Sequence, residues 1–139
     1  MSQLKRSGVK EKELLLFYLT CIRPVAAYAC LVYHNSLPQY LHNDLERCQE
    51  RALRIVFPNF SYEEALKNAG LSTLFERREN IVSKLFREVC SNPNHKLHQL
   101  LPPVNECKYD LRGKRAFSVR RLVTERTMNS FIFKTSVKF

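Results

Sequence analysis

Arg47, Arg51 and Arg54 follow one another at steps of four and three residues, the spacing that aligns side chains along one side of an α-helix. A row of guanidiniums at that pitch can meet a run of phosphates or carboxylates. A second basic group lies downstream, where Arg112, Lys114, Arg115, Arg120 and Arg121 interleave with Tyr109 and Phe117. Basic side chains neutralise phosphates and release counterions, while aromatic faces stack on unpaired bases. These eight cations are the candidate contacts to an RNA or DNA backbone. The competing role for the first group is a solvated helix face. For Tyr109, Phe117, Phe131 and Phe133 it is anchorage of the C-terminal arm to the core, and that is the expected role of the phenylalanines.

The first group can be tested against helix stability. Asp44 with Arg47 and Glu50 with Arg54 are spaced to pair along the helix, each pair contributing about 0.2–0.5 kcal/mol. Arg47 and Arg51 are like charges four residues apart, which offsets a similar amount. The helix therefore gains little from the ridge. An external anion, or an acidic patch, would use it better.

Other chemistries have less support. Cys30 and His34 are four apart, and Cys90, His95 and His98 lie close together, but there is no Cys-x-x-Cys and no second ligand pair at zinc-site spacing. No metal site is expected. The three glycines stand alone at positions 8, 70 and 113, so there is no phosphate-cradling loop. No acidic pair sits in the apolar strand context that holds catalytic magnesium. Glu63, Glu64, Glu46 and Glu50 are accounted for by helix caps and helix faces. Neither a catalytic residue nor a cofactor is expected.

The elements that would position the ridge can be read in order. Residues 1–8 read as a frayed lead-in, residues 9–103 as a helical domain, and residues 104–139 as a basic arm. Val9 to Cys21 has helical periodicity. Pro24 disfavours helix at Arg23 and can open a second helix to about His34. These two, apolar nearly all round, are expected at the domain's centre. Asn35 to Pro38 forms a turn. A third helix runs from about Leu37 to Phe57, with Leu41, Leu45, Cys48, Ala52 and Ile55 or Val56 as its core seam. Ser61 with Glu64 is a capping box, and Gly70 suits a left-handed cap. Thr73 with Glu76 repeats the box and opens a helix to about Cys90, with Leu74, Ile81, Leu85, Phe86 and Val89 on its apolar side. Tyr109 to Val123 reads as a short hairpin or extended arm turning at Gly113, and Ser130 to Phe133 as another short strand. The fold class is therefore mainly α, a compact bundle of about five helices with a short C-terminal β-hairpin or basic arm.

The chain of 139 residues carries 23 Lys and Arg against 13 Asp and Glu, a net charge of +10. The excess is concentrated C-terminally: residues 1–42 contribute +3, residues 43–104 +1 and residues 105–139 +6. That distribution suits a polyanionic partner. Five cysteines, with Cys21, Cys30 and Cys48 among apolar residues, suggest small core side chains in a reducing compartment. Leu14 to Tyr33 has Arg23 as its one charge. Read as a membrane span it would place Arg23 near the bilayer centre, at a cost of about 2.5–3.5 kcal/mol, with Pro24 beside it. Glu11 and Glu13 do not suit a signal sequence. The expectation is an intracellular protein of the nucleus or cytoplasm, neither secreted nor membrane-bound.

The chain also resembles a known family, the region just downstream of the reverse transcriptase domain in non-LTR (LINE-type, jockey-like) retrotransposon polyproteins. Ile22-Arg23-Pro24-Val25 followed by Tyr28-Ala29-Cys30 resembles one family run, and Leu37-Pro38-x-Tyr40-Leu41 the next. The most specific piece is Leu45-Glu46-Arg47-x-Gln49-x-Arg51-Ala52-Leu53-Arg54-Ile55. Ser61-Tyr62-x-Glu64-Ala65-Leu66, Glu76-Arg77-Arg78, Lys84-Leu85-Phe86, His95-Lys96-Leu97, Tyr109-x-Leu111-Arg112 and Asn129-Ser130-Phe131-Ile132 continue in order. The chain departs from the pattern at Ala26-Ala27, Tyr33, Glu50 and Phe133. The resemblance implies a helical accessory region that helps a polymerase hold RNA or DNA. The family's catalytic aspartates and endonuclease fall outside the matching stretch. The expected function is a non-catalytic nucleic-acid-associated domain, a truncated remnant of a retrotransposon reverse transcriptase. The alternative is a protein-interaction module whose basic face docks on an acidic partner or on a reverse transcriptase domain in trans.

Overall fold

The computed structural model describes residues 1–105, 116–118 and 124–138, the side chain of Arg126 excepted. The chain is mainly helical: α1 (Ser2–Arg6), α2 (Glu11–Phe17), a π-turn (Tyr18–Ile22), α3 (Arg23–Ala27), α4 (Cys30–Tyr33), α5 (Gln39–Val56), α6 (Tyr62–Ala69), α7 (Leu74–Ser91), a 3₁₀ turn (His98–Leu100), α8 (Glu125–Met128) and α9 (Phe131–Lys138). It divides into two compact units, residues 1–29 with 37–78 and residues 30–36 with 79–139.

In the first unit, α5 is the longest element, and its ends lie within two residues of the expected ones. Its buried face differs from the expected seam. His42, Gln49, Ala52, Leu53 and Val56 are buried, Leu41 and Leu45 are half-buried, and Cys48 is exposed. The seam turns toward two polar residues because partners inside the unit satisfy their hydrogen bonds, which removes the usual penalty for burying them. Leu53, Ala65 and Leu66 form an apolar cluster with Leu15, Phe57, Tyr62, Ala69 and Leu71 packed against it. The capping box at α6 forms in both directions: the Glu64 N–H donates to Ser61 Oγ at 3.3 Å, and the Ser61 N–H donates to Glu64 Oε2 at 2.9 Å. Gly70 closes α6 at φ 63°.

Two N-terminal expectations are corrected. Residues 2–6 form α1, and the Lys5 ammonium donates to the carbonyl of Ile55. Pro24 does not divide two core helices. Arg23 stays in the α region at φ −61°, ψ −37°, and the chain is helical from Glu11 to Ala27. The widened π-turn directly before Arg23 relieves the crowding that a proline ring imposes on the preceding turn. The helix instead breaks at Tyr28 and Ala29, where Ala29 takes φ 51°. It is not central either: of residues 11–28, only Leu14, Tyr18 and Arg23 are buried.

In the second unit, Val82, Phe86 and Val89 of α7 are buried, and the Phe86 ring meets Phe117 and Phe131 edge-to-face at 6.0 and 6.3 Å. Phe117 and Phe131 thus anchor the C-terminal segment. Ile81 and Leu85 are only half-buried. Ser130 to Phe133 is not a strand: α9 begins at Phe131, with the Thr135 and Ser136 hydroxyls turned back onto the carbonyls of Phe131 and Ile132. The described residues contain no strand and do not support a C-terminal β-hairpin. They hold one antiparallel bridge between Val104 and Phe117, and most of the segment expected to form the hairpin lies outside them.

Candidate docking and nucleic-acid surfaces

A buried polar cluster organises the first unit. Tyr18 donates its hydroxyl to Gln49 Oε1 at 2.7 Å, and Gln49 Nε2 donates to the Tyr62 hydroxyl at 3.0 Å and to the Ser72 carbonyl at 3.2 Å. The Tyr62 hydroxyl in turn donates to Glu46. Glu46 also accepts the backbone N–H groups of Leu74, at 3.2 and 3.1 Å on its two oxygens, and of Phe75 at 3.3 Å. A carboxylate at a helix N-terminus satisfies free donors and the helix dipole together. Glu46 thus caps α7, with Thr73 Oγ1 accepting the Glu76 N–H at 3.1 Å. Arg23 is buried and donates to the Ser72 carbonyl at 2.8 Å. Burial pushes the Tyr18 hydroxyl up to about 12. It raises Tyr62 as well, and the hydrogen bond to Glu46 adds to that rise. Burial, and then the neighbouring Arg77, lower the pKa of Arg23.

Arg78 is fully buried. Its Nε donates to the Leu74 carbonyl at 3.1 Å, and its Nη2 lies 3.4 Å from His42 Nδ1. In the sequence Glu46, Gln49 and Arg78 present only a helix face and parts of motifs. The available signal was the seven-residue spacing of His42, Gln49 and Val56, which puts a glutamine in line with core positions.

The ridge on α5 has the expected layout. Arg47, Arg51 and Arg54 are all exposed. Both intrahelical pairs form, Arg47 to Asp44 at 3.0 Å and Arg54 to Glu50 at 2.6 Å. Among the described residues no carboxylate pairs with Arg51. The remaining candidate cations, Arg112, Lys114, Arg115, Arg120 and Arg121, lie outside the described residues.

Beside the ridge is an open groove of about 460 Å³, lined by Met1, Ile22, Asp44, Arg47, Cys48, Arg51, Ala52 and Ile55. A second surface lies on the helix from Glu11 to Ala27 and the turn after it. Leu16, Phe17, Thr20, Cys21, Pro24, Val25 and Tyr28 are all exposed, with Leu16 at 60%, Val25 at 74% and Tyr28 at 79%. None carries a charge. Their spacing is four residues per step. In an α-helix that step overruns one turn by 0.4 residue, and the wider π-turn takes up the drift, so the stripe runs nearly straight. Glu11–Tyr33 is long and apolar enough by composition to cross a membrane, and little of it is buried. The break at Tyr28 leaves 17 continuous helical residues, about 26 Å, short of a hydrocarbon core of about 30 Å.

Among the described residues the cysteines and histidines do not converge. Of the three expected core cysteines Cys30 is buried, while Cys21 and Cys48 are exposed surface thiols. His34 Nε2 lies 2.8 Å from Glu79, whose other oxygen takes Lys138 at 2.5 Å. Burial alone would raise the Glu79 carboxyl, but the hydrogen bonds from Lys138 and His34 outweigh it and hold the group below its ordinary range. His98 Nδ1 lies 2.8 Å from the Val89 carbonyl, and His95 Nδ1 accepts the Leu97 N–H at 3.2 Å. Among the described residues no three His, Cys, Asp or Glu side chains gather as a metal-ligand set. Comparison with protein-family models, curated proteins and solved structures finds no match to this chain.

Proposed function

We propose that this chain is a non-catalytic accessory domain of the non-LTR reverse transcriptase type, and that it acts by docking on a protein partner, the polymerase domain of such an element in trans. The observation that carries this reading is the uncharged, solvent-facing stripe from Leu16 to Tyr28. Contiguous apolar surface of this kind marks interaction sites on soluble domains. The resemblance of the chain to the region beside a polymerase supplies the partner. The test mixes the purified chain with a non-LTR reverse transcriptase domain and follows the complex by sedimentation velocity. A complex that forms with the native chain and is lost in Leu16→Glu/Val25→Glu supports the reading. No complex, or one indifferent to both changes, overturns it.

A second reading, association with nucleic acid, is favoured by the ridge. Arg51 has no carboxylate partner among the described residues, and the pairs at Arg47 and Arg54 are solvent-exposed, so they hold their guanidiniums weakly. The five downstream cations supply the same chemistry in the sequence. Salt-dependent binding of single-stranded RNA or DNA that falls in Arg47→Ala/Arg51→Ala/Arg54→Ala supports this reading. Its absence at low ionic strength removes it.

A further inference from the structure

The groove beside the ridge has a composition that neither reading uses. Its floor is apolar, made by Ile22 of the π-turn and by Cys48, Ala52 and Ile55 of α5. Arg47 and Arg51 also line it, and among the described residues Asp44 is the one acidic side chain that does. Asp44 sits on Arg47 at 3.0 Å, so among the described lining residues Arg51 is the side-chain cation with no carboxylate partner to compete with an incoming anion. The α1 end is fixed by Lys5 on the Ile55 carbonyl, which keeps Met1 at one wall. The lining residues of α5 run from Asp44 to Ile55, about 17 Å of helix.

A nucleic acid strand would use the arginines but not this floor, since among the described residues no aromatic ring lines the groove for a base to stack on. An extended acidic chain would likewise leave the floor empty. A helix of about three turns with leucine-sized residues on one side and carboxylates beside them would use both. Its apolar side chains cover Cys48, Ala52 and Ile55, and its carboxylates reach Arg51 and compete with Asp44 for Arg47. We infer that the groove between α1, the π-turn and α5 is a docking site for an acidic amphipathic helix of a partner protein. This site shares none of the residues of the Leu16–Tyr28 stripe, so either can fail without the other.

The test uses the full chain and three fluorescein-labelled probes: a Leu/Glu peptide of about three helical turns, an oligoglutamate of equal charge, and an oligothymidylate. Fluorescence anisotropy is read at low and physiological salt. The Leu/Glu peptide is expected to bind and the oligoglutamate to bind at least about tenfold more weakly. Arg51→Glu should weaken the peptide about tenfold or more, and Asp44→Asn should tighten it severalfold by releasing Arg47. Cys48→Phe fills the groove from an exposed position and should abolish peptide binding, while Cys48→Ser, which leaves it open, should not. Thermal melts of each variant confirm that the fold is kept. Equal binding of peptide and oligoglutamate, or peptide binding indifferent to Cys48→Phe, overturns the inference. Oligothymidylate binding that exceeds peptide binding and survives Cys48→Phe also overturns it and assigns the arginines to nucleic acid.

Discussion

Tyr18 and Gln49 are joined by a 2.7 Å hydrogen bond inside the first unit, where each is 1% exposed. Gln49 spends both ends of its carboxamide on this cluster, so its removal strands the Tyr18 hydroxyl and takes one of two partners each from the Tyr62 hydroxyl and the Ser72 carbonyl. Gln49→Ala is expected to cost about 2–4 kcal/mol, and Tyr18→Phe, which strands a single acceptor, about 1–2 kcal/mol. Urea denaturation of the two variants and the native chain checks the order as well as the size.

Glu46 performs a capping role from a distance in sequence of 28 residues. Helix caps are worth about 0.5–2 kcal/mol. Glu46→Ala should lose about 2 kcal/mol, and Glu46→Gln, which can still accept the two N–H groups but not the charge, about half of that. Amide hydrogen exchange offers a local readout: Leu74 and Phe75 should lose protection in Glu46→Ala before the rest of α7 does.

The two tyrosines set an alkaline limit on stability. Both are raised in the folded state, Tyr18 to about 12 and Tyr62 in the same direction, from an ordinary value near 10. A group raised on folding contributes its stability fully below the unfolded value and loses it as pH rises through the folded one. Stability should therefore fall from about pH 10 upward, and the fall should be shallower in Tyr18→Phe. The phenolate absorbance of the native chain should show Tyr18 and Tyr62 titrating late, together with loss of helix by circular dichroism.

Gly70 terminates α6 in the left-handed region at φ 63°, with open space where a Cβ would stand. Substitution there meets no neighbour, so its cost is the backbone's alone. Gly70→Ala should destabilise by about 1–2 kcal/mol, and Gly70→Asn by less, since asparagine tolerates this conformation. Thermal melts of the pair distinguish a backbone cost from a packing cost, for which the larger Asn would be the worse choice.

Elements with local causes were legible in the sequence. The Ser61–Glu64 box, the Gly70 cap and the extents of α5 and α7 all follow from residues a few positions apart. The rotation of α5 was not legible, because hydropathy ranks Cys48 above Gln49 and has no means of seeing the hydroxyls of Tyr18 and Tyr62 arriving from 31 residues before and 13 after. Arg78 was hidden in the same way, since a charged residue in a helix reads as surface. The ridge was legible because exposure requires no partner. The stripe was masked by its own composition: an uninterrupted apolar run looks like a core helix, and only the fold shows which side has been left uncovered.

The Gln49 carboxamide has a consequence for the timing of folding. Its three long-range bonds reach across 31, 13 and 23 residues of chain, so they close only after the segments carrying Tyr18, Tyr62 and Ser72 have been gathered. Contacts that depend on several loop closures form late on the folding path. Loss of Gln49 should then leave the refolding rate almost unchanged and appear nearly in full as faster unfolding. The carboxamide acts as a latch that governs how long the assembled unit persists, and has little bearing on how quickly it is reached.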